Sequence, residues 1–101
     1  MADNVQVAIV IPVYNEEQNL RVLLDRLLPV MQGLGKSFEI IFIDDGSHDN
    51  SLHLLKEFAR GEHVKVVELT RNYGQHAAIM AGFSVCRGDI VITMDADLQN
   101  P

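Results

Sequence analysis

The chain has 101 residues, of which 48% are hydrophobic and 22% are charged, and its net charge is −6. This composition is typical of a folded globular domain, because disordered chains contain far fewer apolar residues. Eight lysines and arginines in all give no basic surface, which argues against binding to a nucleic-acid backbone.

The single cysteine, Cys86, lies in an apolar helical pattern, and we interpret it as a buried thiol in a reducing compartment. No basic segment precedes an apolar run at the N-terminus, so we expect no signal peptide. No apolar segment reaches the roughly 18 residues that span a bilayer. As it stands, the chain is therefore expected to be cytoplasmic.

Four apolar runs of strand length alternate with segments long enough for helices. They cover residues 7–13, 38–43, 64–69 and 89–94. This alternation predicts an α/β fold of βαβ units with a mainly parallel sheet. If crossovers are right-handed and the fourth strand returns beside the first, the strand order is 3-2-1-4, half of a doubly wound sheet. Ligands bind such a sheet at the switch point between strands one and four.

The first predicted helix is amphipathic, with apolar residues at helical spacing. Asn15, with Gln18 three residues later, suggests an N-cap and a capping box. Pro29 lies inside the pattern and predicts a kink or an early stop near Leu28. The apolar positions are Leu20, Leu23, Leu24, Leu27, Leu28, Met31 and Leu34.

Two further helices follow the second and third strands. The second is expected to start at Ser47 or Asp49 and to stop at Gly61. Its buried stripe is Leu54, Leu55, Phe58 and Ala59. The third, residues 75–86, has almost no polar face, as expected of a helix covered on more than one side.

Asp95 and Asp97 follow the fourth strand directly. Taken alone, two aspartates one residue apart are more often turn residues that bond their own backbone. The functional interpretation is a divalent cation site. Because two carboxylates do not complete an octahedral shell, the other ligands would be water and diphosphate oxygens, which implies a nucleoside diphosphate.

Asp44 and Asp45 end the second strand, where they fit either a tight turn with Gly46 or a binding site. Side-chain alternation points them in opposite directions. One can therefore brace the loop while the other accepts a hydrogen bond from a base N–H or a ribose hydroxyl. Arg71, after the third strand, is a candidate phosphate ligand or a solvated loop residue.

Pro12, Tyr14 and Glu16 join the first strand to the first helix. No glycine-rich phosphate cradle lies here, which argues against a dinucleotide site. Tyr14 either stacks on a base or covers the end of the sheet. Glu16 is either a ligand contact or a residue that complements the helix dipole.

Four stretches together resemble the N-terminal part of inverting glycosyltransferases of family 2: residues 7–16 (V-A-I-V-I-P-V-Y-N-E), 43–47 (I-D-D-G-S), 71–74 (R-N-Y-G) and 95–99 (D-A-D-L-Q). Residues 71–76, 80–83 and 95–101 look more narrowly like the polyprenyl-phosphate branch. Within it, the chain is most similar to the undecaprenyl-phosphate 4-deoxy-4-formamido-L-arabinose transferases of lipid A modification.

This resemblance implies a GT-A fold that binds a UDP-sugar donor with Mg²⁺ or Mn²⁺. Pro12, Tyr14 and Glu16 would line the uridine pocket, and Asp45 would contact the uracil. Asp95 and Asp97 would be the catalytic pair that holds ribose, metal and diphosphate, with the metal neutralising the departing UDP.

The resemblance also implies a polyprenyl phosphate acceptor, bound by residues beyond the D-x-D motif. On this basis we expect a donor-binding fragment that lacks turnover. A full-length, membrane-anchored enzyme would lie at the cytoplasmic face of the inner membrane. The apolar edge at residues 90–93 and the surface around Ile79, Met80 and Phe83 are expected to drive self-association.

Two alternatives remain open at the level of sequence. One is a phosphoacceptor signalling module, which also gathers an aspartate pair and a further aspartate around Mg²⁺ at strand ends. Against it, no lysine follows a later strand, and Tyr14, Asn15 and Glu16 would have no role. The other alternative is a domain that folds but binds nothing.

Overall fold

The computed structural model describes residues 5–97, in which strands and helices alternate along the chain. The strands are β1 (Val7–Val13), β2 (Phe38–Asp44), β3 (Val64–Glu68) and β4 (Ile90–Thr93), and the helices are α1 (Glu17–Gly33), α2 (Ser51–Phe58) and α3 (Gln75–Val85). The predicted strands are confirmed to within one residue at each end. Their Val- and Ile-rich runs form strands because β-branched side chains pack well on a pleated surface.

The sheet has the order β3-β2-β1-β4, and all of its neighbouring strands are parallel. The predicted order 3-2-1-4 is therefore confirmed. β1 and β2 form the centre and pair along their whole lengths. β4 pairs with β1 over four residues and forms one edge. The switch point thus lies between β1 and β4, as the crossover rule requires.

Helices cover both faces of the sheet. On one face, α1 and α2 pack on side chains that include Ile9, Ile11 and Phe42, and on the other face α3 packs on Val10 and Ile43. Gly82 allows the close approach of α3, since a Cβ there would lie 2.5 Å from Cγ1 of Val10 and 2.7 Å from Cδ1 of Ile43. Two helix layers explain why β1 and β2 are almost continuously apolar.

Both ends of α1 differ from the prediction. Asn15 does not cap the helix: its φ is +55°, and its Oδ1 accepts a hydrogen bond from the backbone N–H of His48 at 2.7 Å. Glu16 occupies the N-cap position, with no side-chain cap. The early stop near Leu28 is also wrong, because the helix continues through Pro29 to its end. Pro29 and Asp25 are both exposed, so water can satisfy the Asp25 carbonyl that loses its partner.

α2 starts at Ser51, later than predicted, because the preceding polar side chains bind the β1–α1 connection instead. The Ser47 hydroxyl accepts a hydrogen bond from the N–H of Asn15 at 2.9 Å, and Asp49 accepts one from the N–H of Glu17 at 3.3 Å. The predicted apolar stripe is confirmed: Leu55 and Phe58 are buried, and Leu54 and Ala59 pack against them.

α3 matches its predicted span to within one residue, but it is covered on one side only within residues 5–97. Ala78 and Gly82 are buried against the sheet, whereas Met80, Phe83 and Val85 are exposed. The expectation of burial on several sides is therefore wrong for the described residues. Cys86, expected to be buried, is half-buried. No helix of the described chain has the length and apolar character needed to cross a membrane.

Candidate functional site

A pocket of about 470 Å³ opens beyond the carboxyl ends of the strands, at the switch point between β1 and β4. Each strand end contributes to it through the loop that follows. The lining residues are Pro12, Val13, Tyr14, Glu16, Asp45, Asn72, Gly74, Gln75, Asp95, Ala96 and Asp97. The volume is within the range of small-molecule sites.

Backbone N–H groups of the loop after β1 donate hydrogen bonds to side chains around the start of α2. The N–H of Glu16 donates to the Ser51 hydroxyl at 2.9 Å, and Ser51 is fully buried. The Glu16 carboxylate accepts a hydrogen bond from Nδ2 of Asn19 at 2.9 Å. Tyr14 is 42% exposed and meets His48 edge-on, with ring centroids 6.4 Å apart. The loop is thus fixed while the Tyr14 ring stays accessible from the pocket.

Asp45 is a buried acid that binds the loop after β3. Its Oδ1 accepts a hydrogen bond from the N–H of Tyr73 at 2.8 Å, and its Oδ2 accepts from the N–H of Gly74 at 2.9 Å and from Nδ2 of Asn72 at 3.0 Å. Its own N–H donates to the carbonyl of Val13 at 2.8 Å. A carboxylate has about four acceptor sites, so one on Oδ1 is not used within residues 5–97.

Gly46 allows the loop after β3 to lie directly against the end of β2. Its φ is +76°, and a Cβ there would overlap the backbone of Arg71 and Asn72, at 2.8 Å from Cα of Arg71. Gly74, with a φ of +105°, turns the chain into α3. These two glycines place Asn72 and Gln75 on the pocket wall.

Asp95 and Asp97 reach the pocket on either side of a buried alanine. Ala96 is 3% exposed and packs in the core, and the N–H of Met94 donates to the carbonyl of Val10 at 3.1 Å. The amide Nε2 of Gln75 donates to Oδ1 of Asp95 at 3.3 Å. The burial of Ala96 and the hydrogen bond from Met94 to β1 therefore fix the backbone of residues 95–97.

The two aspartates fit a divalent cation that a ligand brings with it. Within residues 5–97, no group of at least three His, Cys, Asp or Glu side chains could enclose an ion. Carboxylate oxygens suit Mg²⁺ and Mn²⁺, and these ions commonly bind one or two carboxylates together with substrate phosphates and water. The donor set thus fits an ion held between the protein and a phosphorylated ligand.

The pocket brings together six of the residues proposed from sequence, and two lie outside it. Asp44 is 2% exposed; its Oδ2 accepts a hydrogen bond from the N–H of Ser47 at 3.2 Å, and its Oδ1 has no hydrogen-bond partner among residues 5–97. The Arg71 guanidinium lies over the ring of Tyr73, with Cζ 4.9 Å from the centroid. The six residues in the pocket are Pro12, Tyr14, Glu16, Asp45, Asp95 and Asp97.

Asn72 and Gln75 line the pocket but were not singled out from sequence. Neither is charged, and an amide side chain in a loop carries no chemical signature of its own. The sequence signals they carry are their place after a strand end and their membership of the stretch 71–76 in the family resemblance. The remainder of the acidic motif, residues 98–101, including the Leu98 and Gln99 of the resemblance, lies outside the described residues.

The placement of Asp44 bears on the phosphoacceptor alternative. That site needs an aspartate pair and a further aspartate around one ion. Asp44 is buried and does not line the pocket, and Asp45 uses three of its acceptor sites on the loop after β3. The described residues therefore do not form the arrangement that this alternative requires.

Comparison with known proteins connects this pocket to a family. The sequence model of Glycosyl transferase family 2 matches residues 8–101. TarS 1–349 from S. aureus in complex with UDP has a TM-score of 0.75 and 25% identity, over 91% of this chain and 27% of that chain. Glucosyl-3-phosphoglycerate synthase from Mycobacterium tuberculosis, in complex with Mn²⁺, UDP and glucosyl-3-phosphoglycerate, has a TM-score of 0.74 and 27% identity, over 95% of this chain and 35% of that chain.

A third structure shares the fold at lower identity. The mannosyltransferase PcManGT from Pyrobaculum calidifontis, in complex with GDP-Man and Mn²⁺, has a TM-score of 0.69 and 22% identity, over 94% of this chain and 28% of that chain. The chain therefore spans about a third or less of the length of these solved structures. Its four-stranded sheet corresponds to the nucleotide-binding part of a GT-A fold.

Proposed function

Because the chain belongs to glycosyl transferase family 2, we propose that it forms the donor-binding part of an inverting enzyme that transfers a sugar from a UDP-sugar to a polyprenyl phosphate. One observation carries the donor-binding part of the proposal. An aromatic ring, a buried acid with a spare acceptor site and a pair of aspartates after β4 share one pocket at the switch point, namely Tyr14, Asp45, Asp95 and Asp97.

The uridine would occupy the side of the pocket near β1 and β2. There Pro12 and Glu16 line the wall, and the exposed Tyr14 ring offers a stacking surface. The remaining acceptor site of Asp45 suits a base N–H, such as that of uracil. Because the loop after β3 holds Asp45 in place, this acceptor is oriented before the ligand arrives.

The diphosphate would lie near Asp95 and Asp97, which would hold Mg²⁺ or Mn²⁺ jointly with its oxygens. The bound ion would supply Lewis-acid stabilisation of the charge on the departing UDP. The complexes of related structures with UDP and with Mn²⁺ and UDP support this donor and this kind of ion. Gln75, through its hydrogen bond to Asp95, would orient one of the two carboxylates.

The acceptor and the sugar rest on the resemblance of residues 71–76, 80–83 and 95–101 to the polyprenyl-phosphate branch. A lipid phosphate is already an anion at neutral pH, so it needs no general base to attack the sugar. We assign the sugar as a 4-amino-4-deoxy-L-arabinose derivative and the reaction to the cytoplasmic face of the inner membrane. A competition titration against bound UDP tests the sugar: a donor carrying this sugar should bind more tightly than UDP-glucose, and equal affinities would contradict the assignment.

We also propose that the free chain self-associates through the edge of β4. Ile90, Val91 and Ile92 are exposed there, and the outer side of the strand has no sheet partner within residues 5–97. An unpaired, uncharged edge strand is a template for pairing with a second copy.

Calorimetric titration of the chain with UDP, with and without Mn²⁺, tests the donor site. We expect binding that requires Mn²⁺, that is stronger for UDP than for GDP, and that weakens by roughly tenfold or more in Asp97→Asn. Asp25→Asn is the matched control, because Asp25 is an exposed acid on α1, outside the pocket lining. Binding that is independent of metal and equal in both variants would refute the proposed site.

A further inference from the structure

β4 carries the two acids at its end, yet it is the least buried strand of the sheet. All four of its residues are exposed, and in the described part of the chain it pairs only with β1. Slippage of a strand by one residue moves each side chain to the opposite face. The positions of Asp95 and Asp97 therefore depend on what fixes the register of β4.

Glu39 binds the start of β4 from across the sheet. It lies on β2 opposite Ala8 of β1 and is 3% exposed. Its Oε2 accepts hydrogen bonds from the backbone N–H groups of Arg87 and Gly88, the latter at 3.1 Å. Its Oε1 lies 2.8 Å from Nζ of Lys65 on β3, an ion pair without hydrogen-bond geometry. One carboxylate thus links β3 to the segment before β4.

Gly88 brings this segment into direct contact with β1. A Cβ at position 88 would lie 2.5 Å from the backbone N of Ala8 and 2.8 Å from the carbonyl carbon of Val7. Immediately afterwards the ladder begins, as the N–H of Asp89 donates to the carbonyl of Val5 at 3.3 Å and that of Ile90 donates to the carbonyl of Gln6 at 3.0 Å. The last two N–H groups before the ladder are therefore those that Glu39 binds.

From this geometry we infer that Glu39 is a positioning residue for the nucleotide site: it fixes where β4 begins to pair, and so where Asp95 and Asp97 lie. It does not line the pocket, and it acts from the other end of the strand. The inference rests on the proposed function, since its consequence for binding is the placement of the acidic pair. Buried, charge-assisted hydrogen bonds to two adjacent N–H groups are strong enough to define a register.

A matched pair of double variants separates the effect of the hydrogen bonds that Glu39 accepts from the effect of its charge. In both, Lys65→Met removes the partly exposed cation, so neither variant keeps one member of the ion pair without the other. Glu39→Gln keeps a carbonyl oxygen that can accept from Arg87 and Gly88, whereas Glu39→Leu has a similar size and no acceptor. The readouts are amide hydrogen exchange by NMR and calorimetric affinity for UDP with Mn²⁺.

We expect the Leu double variant to lose exchange protection at residues 87–94 while β2 and β3 keep theirs, and to bind UDP roughly tenfold more weakly or worse. The Gln double variant should retain both properties. Equal exchange and equal affinity in the two variants would overturn the inference. Failure of the wild type to bind UDP would refute the proposed function instead. The exchange data would still test whether Glu39 fixes the start of β4.

A measurement on the wild type covers the case in which the Leu variant does not fold. Amide exchange at Arg87 and Gly88 should be as slow as at the ladder residues of β4, because both N–H groups are bound to a buried carboxylate. Exchange as fast as in exposed loops would overturn the inference without any substitution.

Discussion

Oδ2 of Asp45 accepts a hydrogen bond from the backbone N–H of Gly74 at 2.9 Å. This hydrogen bond joins the end of β2 to the N-cap of α3. Gly74 and Gln75 lie on the pocket wall, and Gln75 in turn binds Asp95. A chain of contacts therefore runs from the buried Asp45 to Asp95, the first acid of the pair. The pocket is one connected unit, and substitutions along this chain should affect both its stability and its affinity.

Asp45→Asn tests the first link of that chain. An amide group at this position would turn an N–H₂ toward the N–H donors of the loop, so we expect the free energy of unfolding to fall by about 1–3 kcal/mol. Urea denaturation measures this change, and Asp25→Asn is the exposed control. An unfolding free energy equal to that of the wild type would show that the loop does not depend on Asp45.

Gly46→Ala tests the close approach of the loop after β3. Gly35 is a matched control, because its φ of +70° is similar to the +76° of Gly46 but a Cβ at position 35 would meet nothing within 4 Å. Both alanines strain the backbone, and only the one at position 46 also overlaps the main chain of Arg71 and Asn72. We expect Gly46→Ala to lower the unfolding free energy by about 1–3 kcal/mol more than Gly35→Ala. Equal losses of unfolding free energy in the two variants, measured by urea denaturation, would contradict the close contact at Gly46.

The lowered pKa of Asp49 predicts that the free energy of unfolding depends on pH. Partial burial acts to raise the pKa of Asp49, but hydrogen bonds from Ser51 and Glu17 outweigh it and hold the pKa below its ordinary value. A depressed pKa stabilises the folded state above the pKa of the unfolded chain, and this contribution is lost as the pH falls through the folded pKa. Asp49→Asn resembles the protonated side chain, so it should be less stable than the wild type near neutral pH.

Urea denaturation at about pH 7 and about pH 2 measures this effect. The stability difference between the wild type and Asp49→Asn should be present at the higher pH and should shrink at the lower one. Asp25→Asn serves again as the exposed control. A difference that stays constant between the two values would contradict the role of Asp49.

Ile92→Lys tests self-association through the β4 edge. A charge on an edge strand opposes pairing with another copy, so this variant should be monomeric at concentrations where the wild type associates. Val22→Lys on α1 is the control, since Val22 is exposed to a similar degree, 41% against 45% for Ile92. Light scattering measures the mass. A wild type that stays monomeric at high concentration would refute self-association through the β4 edge.

The fold could be predicted because its signals are local. Runs of Val and Ile mark each strand, their spacing leaves room for helices, and the handedness of the crossovers limits the strand order. Tyr14, Asp45 and the 95–97 segment could be placed together for the same reason, since the carboxyl ends of parallel strands meet at one edge of a sheet.

What the sequence did not reveal depends on contacts between distant segments. Asn15 has the residue type of a helix cap, but its side chain binds the loop after β2. Asn72 lies on the pocket wall, where its side chain donates to Asp45 across 27 positions in the chain. The burial of Asp44 likewise follows from the packing of α1 and α2 on its face of the sheet.

We propose that UDP and a divalent ion bind between Tyr14, Asp45 and the pair Asp95 and Asp97. Paramagnetic broadening of amide NMR signals by Mn²⁺ in the presence of UDP locates the ion. Broadening should be strongest at Gln75 and residues 95–97, should be weak at the opposite end of the sheet, and should be lost in Asp97→Asn. Broadening that is centred elsewhere, or that persists unchanged in this variant, would refute this binding site.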